Sequence, residues 1–250
     1  MSVTFTYYGA MCVKMEIADG FKVLVDPYLE QCPDVQASDF FDVDLICVTH
    51  HAFDHIGEAQ AIMEGGEAKL LACSDVTLPI CEANPILKDR VYKTIYGDQK
   101  IFGPVTVRTM RAFHVSRSER NGVPVYGPPL GFLFQMPGRV TYYHTGDTCL
   151  FGDMKLIRDL YRPDVMCVGV SRIRESGSCE MTPKEAAMAV EWMGVDVVIP
   201  SHYYPGSPDP AAFLEYMKYM APDVMVRGEI GKSFTYVPAR VIDGRKGEEK

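Results

Sequence analysis

One short segment of this chain concentrates side chains that bind metal ions. Residues 49–57 read THHAFDHIG, which places three histidines and one aspartate within six positions. The preceding residues 45–49 are mostly apolar and partly β-branched, as is typical of a buried strand. Residues 58–64 then favour a helix. A strand that ends in a polar loop before a helix is a common place for a binding site, so we expect metal chemistry here.

The other three histidines also follow apolar segments. His114 closes the alternating run that begins at residue 105, and His202 follows the apolar residues 197–199. His144 ends the run 140–144, and Asp147 lies in the turn behind it. A single histidine beside an apolar run usually has a structural role, but several strand ends that carry His or Asp favour one shared metal centre. For His144 we expect hydrogen bonding that supports this centre, with direct ligation as the alternative.

The order of these motifs resembles the metallo-β-lactamase superfamily, whose signature is His-x-His-x-Asp-His followed by further His, Asp and His ligands. The resemblance covers residues 3–237 and implies an α+β fold, the four-layer αββα sandwich (metallo-β-lactamase fold). It assigns six metal ligands, namely His50, Asp54, His55, His114, Asp147 and His202. Asp26-Pro27, the Gly-Asp-Thr of residues 146–148 and the block 181–203 are similar to one branch, which contains small predicted metal-dependent hydrolases and ascorbate-6-phosphate lactonases.

Residue 52 departs from this signature, because Ala52 stands where the family has its second histidine. By the resemblance, the first metal position keeps two histidines and an aspartate that can bridge: His50, His114 and Asp147. The second position keeps four ligands: Asp54, His55, Asp147 and His202. We therefore expect one tight ion in the second position and a weakened or empty first position. His51 is a poor replacement, because successive residues of an extended segment point to opposite sides.

The ligand types point to hydrolysis. Imidazole and carboxylate without thiolate favour Zn²⁺, with Mn²⁺ or Fe²⁺ as alternatives, and a metal-bound water or hydroxide then serves as the nucleophile. We expect Asp54 to be catalytic by orienting that water. The substrate is expected to be a small anionic ester, lactone or phosphoester.

Two arginine clusters and one tyrosine are candidates for substrate binding: Arg117, Arg120, Arg172, Arg174 and Tyr203. Arginine binds phosphate and carboxylate through paired hydrogen bonds. The alternative for the arginines is surface ion pairing with Glu119 and Glu175, and the alternative for Tyr203 is a packed side chain at a strand end.

Two other functions fit the same residues. A phosphodiesterase or nuclease is disfavoured, because the net charge is −8 and no broad basic stripe is visible to neutralise phosphates. A metal-binding protein with little catalytic activity is the second alternative, since Ala52 removes a usual ligand. The partner expected here is a small-molecule substrate, with no nucleic acid and no membrane; a homo-oligomer is compatible with the sequence.

The remaining patterns concern organisation and location. We expect a single metallo-hydrolase domain over residues 1–238 and a polar C-terminal tail over 239–250. Further helices are predicted near residues 153–161, 183–192 and 210–220, the second with Thr182 as its N-cap and Pro183 in its first turn. The eight cysteines form no Cys-x-x-Cys pair, and no signal-peptide pattern or long apolar run is visible. These features favour free thiols and a cytoplasmic protein.

Overall fold

Two seven-stranded β-sheets dominate the computed structural model, which describes residues 2–17, 19–171 and 180–238. The first sheet has the order β16-β1-β2-β3-β4-β5-β6 and the second the order β15-β14-β13-β12-β11-β8-β7, while β9 and β10 form a separate ribbon. The strands are β1 (Val3–Gly9), β2 (Cys12–Ile17), β3 (Lys22–Val25), β4 (Leu45–Cys47), β5 (Lys69–Ala72), β6 (Val91–Lys93), β7 (Gln99–Phe102), β8 (Val105–Arg111), β9 (Ser116–Arg120), β10 (Val123–Gly127), β11 (Leu130–Met136), β12 (Val140–His144), β13 (Val165–Gly169), β14 (Val197–Ser201), β15 (Met225–Val226) and β16 (Ser233–Tyr236).

The helices cover the outer faces of the sheets. They are α1 (Phe53–Ile56), α2 (Ala59–Gly65), α3 (Ser74–Ala83), α4 (Met154–Tyr161), α5 (Pro183–Met193) and α6 (Asp209–Met220), with 3₁₀ turns at Ala37–Phe40, Pro85–Arg90 and Pro137–Arg139. Ile62 of α2 and Val76 of α3 pack in the same core as the first sheet, whereas Val190 of α5 packs in a second core with Met166 and other residues of the second sheet. The layers therefore follow the order helix, sheet, sheet, helix, which confirms the predicted αββα sandwich.

The space between the sheets is filled by large apolar and aromatic side chains. The ring of Phe5 in β1 meets the ring of Tyr142 in β12 edge to face, with centroids 5.2 Å apart. Every residue of β13 and of β14 is buried. Parallel strands covered on both faces read as continuous apolar runs, which is why the sequence pattern of these two strands is so clear.

Parallel pairing brings the polar strand ends together. Strand β4 lies between β3 and β5 in parallel, and β12, β13 and β14 are parallel to one another. The carboxyl ends of parallel neighbours meet at one edge of a sheet, where open α/β sheets place their ligands. Residues that follow β3, β4, β12 and β14 therefore converge at one edge of the sandwich.

Two glycines allow the loops at this edge to approach closely. Gly57 has φ 39° and Gly146 has φ 58°. A Cβ at Gly57 would overlap the carbonyl of Pro27, and a Cβ at Gly146 would crowd the carbonyl of Leu130. Only glycine avoids both the overlap and the strained backbone at these positions.

The segment after His114 is part of a two-stranded ribbon. Residues 116–120 form β9, which pairs with β10 in an antiparallel ribbon. Ser116 anchors this ribbon, because its hydroxyl contacts the buried Asp75 of α3 and accepts a hydrogen bond from the backbone N–H of His51 at 2.9 Å. The ribbon therefore holds the loop that carries the histidine motif.

The structure describes the predicted N-cap of α5 and most of the cysteines, but not the C-terminal tail. Thr182 is the N-cap of α5 and forms a capping box with Glu185, as expected. Seven cysteines fall within the described ranges and none of these seven forms a disulfide, whereas Cys179, Arg172, Arg174 and the tail 239–250 lie outside them. No helix in the described part of the chain has the length and apolar composition that a membrane crossing requires.

Candidate metal centre

Four histidine side chains surround one carboxylate oxygen at the edge where the strands end. The distances from Oδ2 of Asp147 to the Nε2 atoms are 4.0 Å for His50, 3.2 Å for His55, 3.8 Å for His114 and 3.1 Å for His202. Asp147 and three of the four imidazoles are almost fully buried, and His114 is the most exposed at 10%. The structure therefore brings together residues from α1 and from the ends of β4, β8, β12 and β14.

Asp54 completes the predicted set of six. Its Oδ2 lies 3.5 Å from Nε2 of His202, and its side chain is 19% exposed, more than that of any other member. Among the described residues, three groups have donor atoms within 4.8 Å of one another, and two of them consist only of predicted ligands, namely His50, His114 and Asp147, and Asp54, His55 and His202. The first of these two groups contains the three residues expected at the first metal position, and the second contains three of the four residues expected at the second position, where Asp147 is the fourth.

Buried polar atoms without hydrogen-bond partners show that the residues around Asp147 fit a metal ion. Within the described residues, buried atoms without a hydrogen-bond partner include Nε2 of His50, Nε2 of His55 and Oδ1 of Asp147. A buried polar atom that lacks a partner is costly, so such atoms usually mark a missing water or ion. Imidazole nitrogens and a carboxylate oxygen that face one another are the donor set of zinc and related divalent ions.

The electrostatics also favour a cation at this place. Burial opposes charge on His55, but Asp147 and Asp26 raise its pKa well above the ordinary value. Burial would likewise raise the pKa of Asp147, but His202 and His55 hold it well below the usual range. Without a metal, protons supply the positive charge that the buried carboxylates require. Burial and the neighbouring His55 lower the pKa of His50 to about 3, so that His50 is neutral and ready to coordinate at neutral pH.

Asp26 holds the cluster from behind. Its carboxylate accepts hydrogen bonds from the backbone N–H and the hydroxyl of Thr49, both at 2.7 Å, and lies 2.8 Å from Nδ1 of His55. Because Nδ1 of His55 is engaged by Asp26, its Nε2 is left for the centre. Asp26 itself has φ 46°, a left-handed conformation that aspartate tolerates better than most residues. No role for Asp26 was predicted from its motif; its position directly after a strand is the signal that could have indicated one.

His144 lies behind the centre and not in it. Its Nε2 is 3.3 Å from Oδ2 of Asp26, and its Nδ1 is 2.8 Å from the hydroxyl of Tyr142. Burial would lower the pKa of His144, but Cys167 and the hydrogen bond to Asp26 raise it to about 9. A charged His144 therefore pairs with Asp26, the supporting role that we expected.

Neither Ala52 nor His51 belongs to the group of candidate ligands at the first position. Ala52 is the N-cap residue of α1, and His51 is half-buried beside it. Among the described residues, His51 belongs to none of the groups whose donor atoms could share a metal ion.

Glu180 is a member of the cluster that sequence reasoning missed. Its carboxylate, an Asp147 oxygen and a His202 nitrogen all lie within 4.8 Å of one another. Burial lowers the pKa of His114, and the charges of Asp147 and Glu180 act against that effect. Glu180 lies shortly before α5, and the pattern of polar strand ends did not indicate it. The available signal was an acidic residue next to the apolar Met181 and the cap of α5.

The substrate-binding candidates lie at different places. Arg120 forms an exposed ion pair with Glu82 of α3, and Arg117 is exposed on β9. The hydroxyl of Tyr203 donates to the carbonyl of Gly228 at 3.3 Å, beside a cavity of about 530 Å³ that Tyr7 and Arg227 also line. Arg172 and Arg174 lie outside the described residues.

Comparisons with known proteins agree with this geometry. The family model of the beta-lactamase superfamily domain matches residues 22–203. A UPF0173 metal-dependent hydrolase of Pyrococcus abyssi is 37% identical over 200 residues, which are 77% of this chain and 83% of that protein. A UPF0173 metal-dependent hydrolase of Caldivirga maquilingensis is 33% identical over 211 residues, which are 83% of this chain and 86% of the relative.

A solved structure shows the same fold. The metallo hydrolase from Ignicoccus hospitalis superposes with a TM-score of 0.77 at 24% identity, over 94% of this chain and 99% of that one. The superfamily that the motifs predicted is therefore confirmed. This chain belongs to the beta-lactamase superfamily and, within it, to the UPF0173 family of metal-dependent hydrolases.

Proposed function

We propose that the protein is a metal-dependent hydrolase that acts on a small anionic ester, lactone or phosphoester. One observation carries this proposal: four imidazole nitrogens lie within 4.0 Å of a single Asp147 oxygen. A divalent ion bound there would polarise the scissile bond and lower the pKa of a coordinated water toward neutrality. The ion proposed is Zn²⁺, with Mn²⁺ or Fe²⁺ as alternatives.

Asp54 is the catalytic residue in this proposal. Burial alone would raise the pKa of Asp54, but the contacts with His202 and His55 lower it below its usual value. The carboxylate is therefore ionised at neutral pH, and its side chain is more exposed than that of Asp147. It can accept a hydrogen bond from an incoming water, orient that water, and hold its proton for the leaving group.

Exposed apolar side chains next to the candidate ligands support a small organic substrate. Phe53 adjoins Asp54 and is 71% exposed, and Val115 adjoins His114 and is 62% exposed. Exposed apolar side chains at these two positions suit an organic ester or lactone better than the phosphate backbone of a nucleic acid, which basic residues bind. Among the described residues, Arg117 is the candidate for binding the charged part of the substrate. Arg172 and Arg174, which lie outside the described residues, are proposed for the same role. Likeness to the ascorbate-6-phosphate lactonases stays a prediction about substrate class.

The experiment is a substrate panel with metal-reconstituted protein. Lactones, carboxylic esters, phosphoesters and a β-lactam are assayed before and after chelation. We expect turnover of a lactone, ester or phosphoester that chelation abolishes, and a loss of about 10²- to 10⁴-fold in kcat for Asp54→Asn, the usual range for general acid–base catalysis. Asp159→Asn is the matched control, because Asp159 is an exposed aspartate of α4 with 62% of its side chain accessible. Tight metal binding without turnover of any of these substrates would instead favour a metal-binding protein with little catalytic activity.

A further inference from the structure

We propose that Glu180 is an additional metal ligand, which supplies a carboxylate oxygen to the ion held by Asp147 and His202. The inference rests on the metal centre of the proposed function but does not depend on hydrolysis. It also concerns a residue that lies outside the strand-end motifs.

Glu180 lies close to two of the candidate ligands. The donor atoms of Asp147, Glu180 and His202 lie within 4.8 Å of one another, a spacing that one ion can span with its ligands. The negative charge of Glu180 acts on His114 as well. Glu180 therefore lies beside Asp147, the carboxylate that the two metal positions share.

Glu180 and the neighbouring Asp147 are both buried. Glu180 is 6% exposed and Asp147 is 4% exposed. Burying two neighbouring carboxylates costs free energy through desolvation and mutual repulsion. A divalent cation between the two carboxylates offsets both costs. If the centre held only protonated histidines, the second carboxylate would instead add repulsion between like charges.

The backbone next to Glu180 is anchored by the two residues that follow it. Met181 is 1% exposed and packs in the core beneath α5. Thr182 then caps α5, since its backbone N–H donates to Glu185 at 2.8 Å. With these two neighbours fixed, Glu180 is held toward the centre by a rigid helix start, which is how proteins pre-organise a ligand.

The consequence is a different donor set. His202 belongs to two groups of candidate ligands, one with Asp54 and His55 and one with Asp147 and Glu180. Glu180 would therefore add a carboxylate oxygen to the donors of an ion near His202. Four-coordinate zinc sites use fewer ligands, whereas more oxygen donors and a higher coordination number suit Mn²⁺ or Fe²⁺. The extra carboxylate thus strengthens the second position, while Ala52 weakens the first.

The test compares metal affinity in the full-length protein, measured by calorimetric titration of the apo form with Mn²⁺ and with Zn²⁺. Glu180→Gln keeps the shape and removes the charge, and Glu180→Asp withdraws the carboxylate. Glu191→Gln is the matched control, because it makes the same change on the exposed face of α5. The Mn²⁺ electron paramagnetic resonance spectrum reports the ligands directly, and thermal unfolding of the apo forms verifies that each variant folds.

We expect Glu180→Gln to weaken Mn²⁺ binding by at least about tenfold and to change the Mn²⁺ spectrum, since losing even a partner that only orients a ligand costs about 10- to 100-fold. The Mn²⁺ affinity of Glu180→Asp should lie between those of Glu180→Gln and the wild type, and the affinity of Glu191→Gln should match that of the wild type. Unchanged affinity and spectrum in Glu180→Gln, with tight binding in the wild type, would overturn this inference alone. A wild-type protein that binds neither ion would overturn the proposed metal centre as well.

Discussion

Asp26 fixes the ring of His55, because Oδ2 of the carboxylate lies 2.8 Å from Nδ1 of the imidazole. The same ring presents its Nε2 to Asp147 at 3.2 Å. One buried aspartate thus decides which nitrogen of His55 carries the proton and which faces the centre. This pairing motivates the first prediction.

Replacing Asp26 by Asn should weaken metal binding without removing a ligand. The amide can still hydrogen-bond, but it lacks the charge that polarises His55. We expect metal affinity to fall by about 10- to 100-fold, the usual effect of losing a group that orients a ligand. Competition with a chromogenic chelator measures the change, and unaltered affinity would show that Asp26 has only a packing role.

The pairing of His144 with Asp26 predicts a pH dependence of stability. Because folding raises the pKa of His144 from 6.5 to about 9, its contribution is fully present below pH about 6.5 and is lost as the pH rises through about 9. That difference corresponds to a free energy on the order of 3 kcal/mol. Denaturant unfolding of apo protein between pH 6 and 10 should show a steeper loss in the wild type than in His144→Gln. Parallel profiles would mean that His144 is not charged in the folded state.

Restoring the missing imidazole should restore the first metal position. In Ala52→His, the first position regains the second histidine of the family signature beside His50, His114 and Asp147. We expect the metal content to rise from about one ion per chain toward two, measured by elemental analysis after dialysis. Ala52→Asn serves as the control for added bulk, and an unchanged ion count in Ala52→His would argue against the assigned register.

The two described arginines of β9 should differ in their effect on catalysis. Arg120 is already paired with Glu82 at the surface, so Arg120→Gln should leave kcat/KM near the wild-type value. If Arg117 binds the anionic part of the substrate, Arg117→Gln should lower kcat/KM by roughly ten- to a hundredfold, on the scale of a charge-assisted hydrogen bond. An uncharged analogue should be hydrolysed equally by both variants. Equal losses for charged and neutral substrates would show that Arg117 does not bind the anion.

Residues at strand ends were predictable from the sequence, because apolar runs locate the strands and parallel pairing gathers their ends. His202, which follows β14, is of this kind, whereas His114 follows β8, which pairs antiparallel with both of its neighbours. The cap of α5 was predictable as well, since Thr182, Pro183 and Glu185 form a local pattern that needs no tertiary information.

Features that depend on tertiary contacts were not predictable. Asp26 acquires its role only because β3 pairs in parallel with β4, which places Thr49 and His55 beside it. Helix α3 contains Pro79, which removes a backbone donor, so packing of Val76 and Ile80 must offset that loss. Glu180 belongs to the segment before α5, and only the tertiary fold brings it close to Asp147 and His202, which follow β12 and β14.

Metal analysis of single histidine variants tests the central claim most directly, namely that the residues around Asp147 form a metal centre. Wild type, His55→Ala, His202→Ala and His51→Ala are reconstituted with Zn²⁺ or Mn²⁺, dialysed, and measured by elemental analysis. We expect about one tight ion per chain in the wild type and in His51→Ala, and loss of tight binding in His55→Ala and His202→Ala, because His55 and His202 place Nε2 at 3.2 Å and 3.1 Å from Asp147 and His51 belongs to none of the candidate ligand groups among the described residues. Full metal retention in His55→Ala and His202→Ala, or a large loss in His51→Ala, would contradict the account.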